Sequence, residues 1–146
     1  MFSFEKMTAW QKAIEWADGV FDVADCLPQK LQFSFGEQLR RACLSVSNNL
    51  AEGCGRRTPR EQRYFYNIAH GSTYEVVSIL AILKRRSLVS AEEFAQFYRK
   101  GDELASITYG LQQATFEAEA KQAATPSRFR ESDAEYQALN ELDSNE

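Results

Sequence analysis

The sequence predicts an all-α protein: an antiparallel up-down-up-down four-helix bundle with short loops and an acidic, disordered C-terminal tail. Three observations predict it. Apolar residues recur at three- and four-residue spacing through four stretches. A Ser or Thr precedes Glu or Gln by three residues at each of four helix starts, the pattern of a capping box. Only three prolines and seven glycines interrupt 146 residues, which leaves room for long helices. That length suits one domain with a real core. The bundle is assigned to residues 1–120 and the tail to 121–146.

The first helix is predicted over 9–26. Thr8 and Gln11 form its capping box, and Trp10, Ala13, Ile14, Ala17, Phe21 and Ala24 share one face. Pro28 closes it, because the residue before a proline avoids helical angles. Residues 27–34 read as a connection. Ser34 with Glu37 opens the second helix, which runs to residue 52. Its core face is Leu39, Cys43, Val46 and Leu50, and Gly53 is expected in a left-handed C-terminal position.

Thr58-Pro59-Arg60-Glu61 is the strongest start signal, combining an N-cap, a proline at the first helical position and a glutamate at the third. The third helix spans 59–86, roughly 40 Å at 1.5 Å per residue. Phe65, Ile68, Ala69, Ser72, Val76, Ile79 and Leu83 are predicted to face inward. Lys84, Arg85 and Arg86 lie in the last turn, where cations favour the helix dipole; a functional role is the other reading. Ser90 and Glu93 open the fourth helix, which runs to about residue 119. Its inward positions are Phe94, Phe97, Tyr98, Gly101, Leu104, Ala105, Thr108, Leu111 and Thr115.

Charge is unevenly placed. The chain carries a net −4, yet residues 36–86 hold nine basic and four acidic side chains, whereas 117–146 hold eight acidic and three basic. An acidic tail thus masks a basic middle. Three cysteines without paired spacing and a single histidine argue against a metal site, and no cofactor is expected. Cys26, Cys43 and Cys54 read as free buried thiols of a reducing cytosol. No leader-like apolar run or membrane-length stretch occurs, so a soluble, cytoplasmic protein without membrane contact is expected.

Residues 40–66 hold six of the arginines: Arg40, Arg41, Arg56, Arg57, Arg60 and Arg63. Opposite the core face of the second helix, Arg41, Ser45, Asn48 and Glu52 form a polar stripe. Its small and amide side chains suit contact with another surface better than contact with water. With Arg40 and Glu75, these residues are assigned to an oligomer contact or to an internal polar network. Glu75 is expected to pair with Arg40 or Arg41. Arg56, Arg57, Arg60 and Arg63, interleaved with Tyr64 and Tyr66, are assigned to nucleic-acid binding. Arginine matches phosphate, and tyrosine stacks on bases.

The segments Gln38-Leu39-Arg40-Arg41-Ala42, Asn49-Leu50-Ala51-Glu52-Gly53, Arg57 and Ala69-His70-Gly71-Ser72-Thr73-Tyr74-Glu75 carry a family resemblance over about residues 4–113. They resemble the signature of the S23, or 23S rRNA intervening-sequence, four-helix-bundle proteins. These are similar to the accessory variability proteins of diversity-generating retroelements. His70 departs from the pattern. The resemblance implies a homo-oligomer, often a pentamer, and RNA or DNA as a partner. It implies a reverse transcriptase only for a chain encoded beside one.

The sequence is read as a non-catalytic, homo-oligomeric bundle offering a basic surface to nucleic acid, RNA before DNA. A protein-interaction scaffold without nucleic-acid binding is the first alternative. The second is an RNase of the HEPN type using Arg63 and His70, spaced loosely as in that motif. Tyr64 replaces the usual polar residue after the arginine, and no nucleophile–base pair or carboxylate dyad is otherwise visible.

Overall fold

The computed structural model describes residues 1–124. The predicted tail lies outside them from residue 125 onward. Four long helices carry the fold: α1 (Thr8–Asp25), α2 (Glu37–Cys54), α3 (Pro59–Arg85) and α4 (Ala91–Ala124). A 3-10 turn, Ser3–Lys6, precedes α1. A short helical turn (Gln29–Leu31) and a π-helical turn (Gln32–Gly36) lead into α2. The described residues contain no strand.

Each helix packs on its neighbour in the chain, and α1 closes the ring against α4. Pairs of interacting side chains fix the directions. Lys12 meets Glu103 while Lys100 meets Glu15, so α1 and α4 run antiparallel. Arg63 meets Glu119 and His70 meets Ala105, which does the same for α3 and α4.

The core contains Trp16, Val20, Leu39, Val46, Leu50, Val76, Leu80, Leu83 and Leu104, each nearly solvent-free. The core face of α2 is the predicted one. That of α1 is rotated: Trp16 and Val20 are buried, Trp10 and Phe21 are half-buried and Ile14 is exposed. Trp16 fits because Gly101 leaves room for its ring. A Cβ at Gly101 would stand 3.1 Å from Trp16 Cζ2. On α3, Leu80, Tyr66 and Thr73 join the buried set, while Phe65, Ile68 and Ile79 are only half-buried. On α4, Tyr98 is exposed instead of inward.

Two of the four expected capping boxes form. At α3, Thr58 Oγ1 accepts from the Glu61 backbone N–H, and the Thr58 backbone N–H donates to the Glu61 carboxylate. At α4, Ser90 and Glu93 exchange the same pair of bonds. Both carboxylates are held below their ordinary 4.5: at Glu61 mainly by the Thr58 hydroxyl, at Glu93 by the Ser90 backbone N–H.

The Thr8–Gln11 box does not form. Met7 is the N-cap of α1, and Gln11 Nε2 donates instead to the Glu5 carbonyl. The Ser34–Glu37 box is absent because the chain is already helical before it reaches Ser34. There, Ser34 Oγ donates to the Leu31 carbonyl. Residues 29–36 are therefore helical and not an irregular connection.

The expectation for Gly53 is also corrected. The helix continues to Cys54, and no glycine has positive φ. Gly53 is needed for close approach: a Cβ there would lie 2.7 Å from Cε1 of the buried Tyr66. Gly53→Ala should therefore lower the melting temperature. Overpacking costs about 1–3 kcal/mol, against a helix-propensity gain of about 1 kcal/mol. A melting temperature raised by the substitution would refute this packing role.

The left-handed position occurs instead at Ser87, with φ 58°. Leu88 N–H bonds to the Leu83 carbonyl and Ser87 N–H to the Lys84 carbonyl, a Schellman closure of α3. α4 extends to Ala124, beyond the expected end near 119. The cysteines differ from one another: only Cys43 is buried, Cys26 is exposed and Cys54 is half-buried. Burial, and secondarily the charge of Asp18, pushes the Cys43 thiol up to about 12, which leaves it chemically inert.

Candidate nucleic-acid interface

The α2–α3 turn brings the four assigned arginines to one end of the bundle, in two pairs of different kind. Arg56 is paired to Glu52 one turn back, and its guanidinium lies 4.7 Å over the Phe65 ring. Arg63 faces α4, paired to Glu119 at 2.6 Å and lying 5.5 Å over Phe116. Its Nη1 is enclosed with no hydrogen-bond partner. Arg57 and Arg60 are exposed and make no ion pair or hydrogen bond among the described residues. A guanidinium already neutralised by a carboxylate has less to offer a phosphate. Arg57 and Arg60 are thus the immediate candidates, with Arg56 and Arg63 available on exchange of partner. Of the interleaved tyrosines, Tyr64 is exposed and Tyr66 is buried in the core.

The second assigned group divides differently. Arg40 pairs with Asp25, and its Nη2 donates to Gln32 Oε1 at 3.0 Å. Gln32 Nε2 in turn donates to the Ala24 carbonyl in the last turn of α1 and to the Leu27 carbonyl just beyond it. Gly36 makes room for this clasp, since a Cβ there would meet Gln32 Oε1 at 3.0 Å. Arg40 is therefore part of an internal polar network.

Ser45 Oγ bonds to Ser72 Oγ at 2.7 Å across α2 and α3, and Asn49 Nδ2 donates to the Ser45 carbonyl at 2.7 Å. Sequence reasoning assigns neither Gln32 nor Asn49 to the network. Asn49 belongs to the family motif, but its bonds to Ser45 are local and follow only from the helix itself. Glu75 pairs with neither Arg40 nor Arg41. It is exposed on α3 beside Gln38 and Ser78, along a separate shallow groove.

Arg41 and Asn48 are exposed and line an open groove of about 860 Å³ over α2, together with Arg40, Ser45 and Asn49. Leu44 and Phe33 add apolar surface, Phe33 at 84% exposure. Phe33 projects from the π-helical turn, a feature that no periodicity in the sequence announces. Glu52 lies beyond the groove, paired with Arg56.

The family model for 23S rRNA-intervening sequence proteins matches residues 5–110, from before α1 to well along α4. The chain belongs to this family. The segments quoted from sequence occupy the α2–α3 pair: the Ser45–Ser72 bond and the Gly53–Tyr66 approach both fall within the family span. A crystal structure at 1.70 Å of a protein of unknown function from the S23 ribosomal protein family of Bacteroides thetaiotaomicron is similar in fold. Its TM-score is 0.68 at 18% identity, covering 72% of this chain and 98% of that one. At such identity the likeness concerns the fold alone. No curated protein matches the chain.

Arg63 and His70 stand two turns apart on α3, about 10 Å along the axis. His70 Nδ1 lies 3.1 Å from the Ala105 carbonyl and 3.0 Å from Thr108 Oγ1. A carbonyl can only accept, so the proton is assigned to Nδ1. No hydrogen bond joins His70 to Arg63 among the described residues. No group of three His, Cys, Asp or Glu able to hold a metal ion occurs among them, and no helix there is long and apolar enough to cross a membrane.

Proposed function

We propose that the protein is a non-catalytic homo-oligomer that binds nucleic acid, RNA before DNA, through the α2–α3 end of each bundle. The carrying observation is that Arg57 and Arg60 are exposed and make no ion pair among the described residues, in a segment that is net basic within a net acidic chain. Two exposed guanidinium groups on one subunit bind a phosphate chain weakly. Several copies raise both the local field and the effective concentration of sites. Support for self-association comes from the α2 groove, where Phe33 and Leu44 expose apolar surface beside Arg41 and Asn48. Family membership supports the same reading, with the pentamer as the assembly that the resemblance implies.

The reading is tested by fluorescence anisotropy of a labelled single-stranded RNA titrated with the full chain across a salt series. Affinity is expected to fall with a log–log slope of about −0.7 per phosphate contacted. Absence of binding at low salt would leave a protein-interaction scaffold. Cleavage of the RNA that depends on His70 would instead establish an RNase.

A further inference from the structure

We infer that the outer groove between α3 and α4 is a stacking track for unpaired bases of a single-stranded nucleic acid. This inference rests on the nucleic-acid reading above and extends it from phosphates to bases. Its first element is a row of rings. Tyr74 on α3 and Tyr98, Tyr109 and Phe116 on α4 are all between 51% and 61% exposed. Residues 98, 102, 105, 109, 112 and 116 follow one another at intervals of three and four, so they form one line along α4. That line faces α3. Tyr98 and Asp102 share a pocket with Tyr74, and Phe116 lies under Arg63.

The second element is charge at the two ends. At 100° per residue, Arg60, Arg63, Tyr74 and Arg85 fall within about 40° of one line along α3. Arg60 and Arg85 stand about 38 Å apart on it. Neither makes an ion pair or hydrogen bond among the described residues. Of the three consecutive cations at the end of α3, where the dipole favours positive charge, Arg85 is the one that falls on the line of Arg60 and Tyr74. Cations at both ends and aromatic rings between them fit a chain of phosphates bearing flat bases.

The third element is a base-sized recess. A pocket of about 300 Å³ lies between Tyr74 and Tyr98, and Asp102 lines it. Asp102 is an acceptor there, suited to the N–H groups on a base edge and unsuited to a phosphate. Tyr74 is held from behind: the His70 ring lies 4.9 Å from it, and His70 is itself anchored to Ala105 and Thr108. A ring fixed in this way loses little freedom when a base stacks on it.

The test compares wild type with Tyr74→Ala/Tyr98→Ala and Tyr74→Phe/Tyr98→Phe, as full chains, binding labelled oligouridine or a duplex RNA of equal length. The alanine pair is expected to weaken oligouridine binding about tenfold or more, with an unchanged salt slope and unchanged duplex binding. The phenylalanine pair should retain binding, because stacking needs the ring and not the hydroxyl. Both tyrosines are exposed, and circular dichroism should show the fold intact. Oligouridine binding that is equal in wild type and the alanine pair would overturn the track while the basic-surface reading stands. Absence of binding by wild type at low salt would overturn both. A change in sedimenting mass caused by the alanine pair would make this face a contact between copies and would also overturn the track.

Discussion

Replacing Trp16 with alanine is expected to destabilise the bundle by about 3–5 kcal/mol, the range for removing a fully buried tryptophan. Trp16 is the largest side chain of the core and is 1% exposed. It lies on the seam where α1, the first helix, closes against α4, the last. Its ring lies against Gly101, and its Nε1 donates to the Phe97 carbonyl at 3.2 Å. Gly101 has no side chain that could move into the space. Chemical denaturation should show a lower midpoint. A loss below about 1 kcal/mol would mean that the seam contributes little and that α1 is held mainly by α2.

Placing aspartate at both Phe33 and Leu44 is expected to abolish self-association. Both side chains are exposed in the subunit and line the α2 groove. They make no contribution to the core, so helicity should be retained. Burying two new carboxylates against a second copy without partners carries a heavy desolvation penalty. Sedimentation of the wild type should give a mass several times 16.7 kDa, and that of the variant should fall to 16.7 kDa. A wild type that sediments as a monomer at micromolar concentration would remove the oligomer. An unchanged oligomeric mass in the variant would move the interface elsewhere.

The fold is legible in the sequence because its signals are local and repeated. Thr58 to Glu61 and Ser90 to Glu93 specify helix starts that form as expected, and the core face of α2 is the predicted one. Differences arise where distant residues decide. The α1 face turns because Trp16 finds space opposite Gly101, far along the chain. Gly53 resembles a helix terminator because nothing local reports the Tyr66 ring packed against it. Thr8 and Ser34 have the right spacing for caps, but neighbouring turns are already helical. Within the site, the clustering of arginines is plain from sequence. Which of them are already neutralised is not, since Arg63 meets Glu119 from another helix. The pairing of Arg40 with Asp25 and Gln32, which leaves Glu75 apart, is hidden for the same reason.

The most direct measurement is the affinity and salt slope of single-stranded RNA binding by Arg57→Ala/Arg60→Ala beside wild type. Both residues are exposed and make no ion pair among the described residues, so helicity and sedimenting mass should be unchanged. Removing two phosphate-binding guanidinium groups per subunit should weaken binding at low salt. It should also make the log–log slope shallower by about 0.7 for each phosphate that is no longer neutralised. Affinity and slope equal to those of wild type would contradict the assignment of this end of the bundle to nucleic acid.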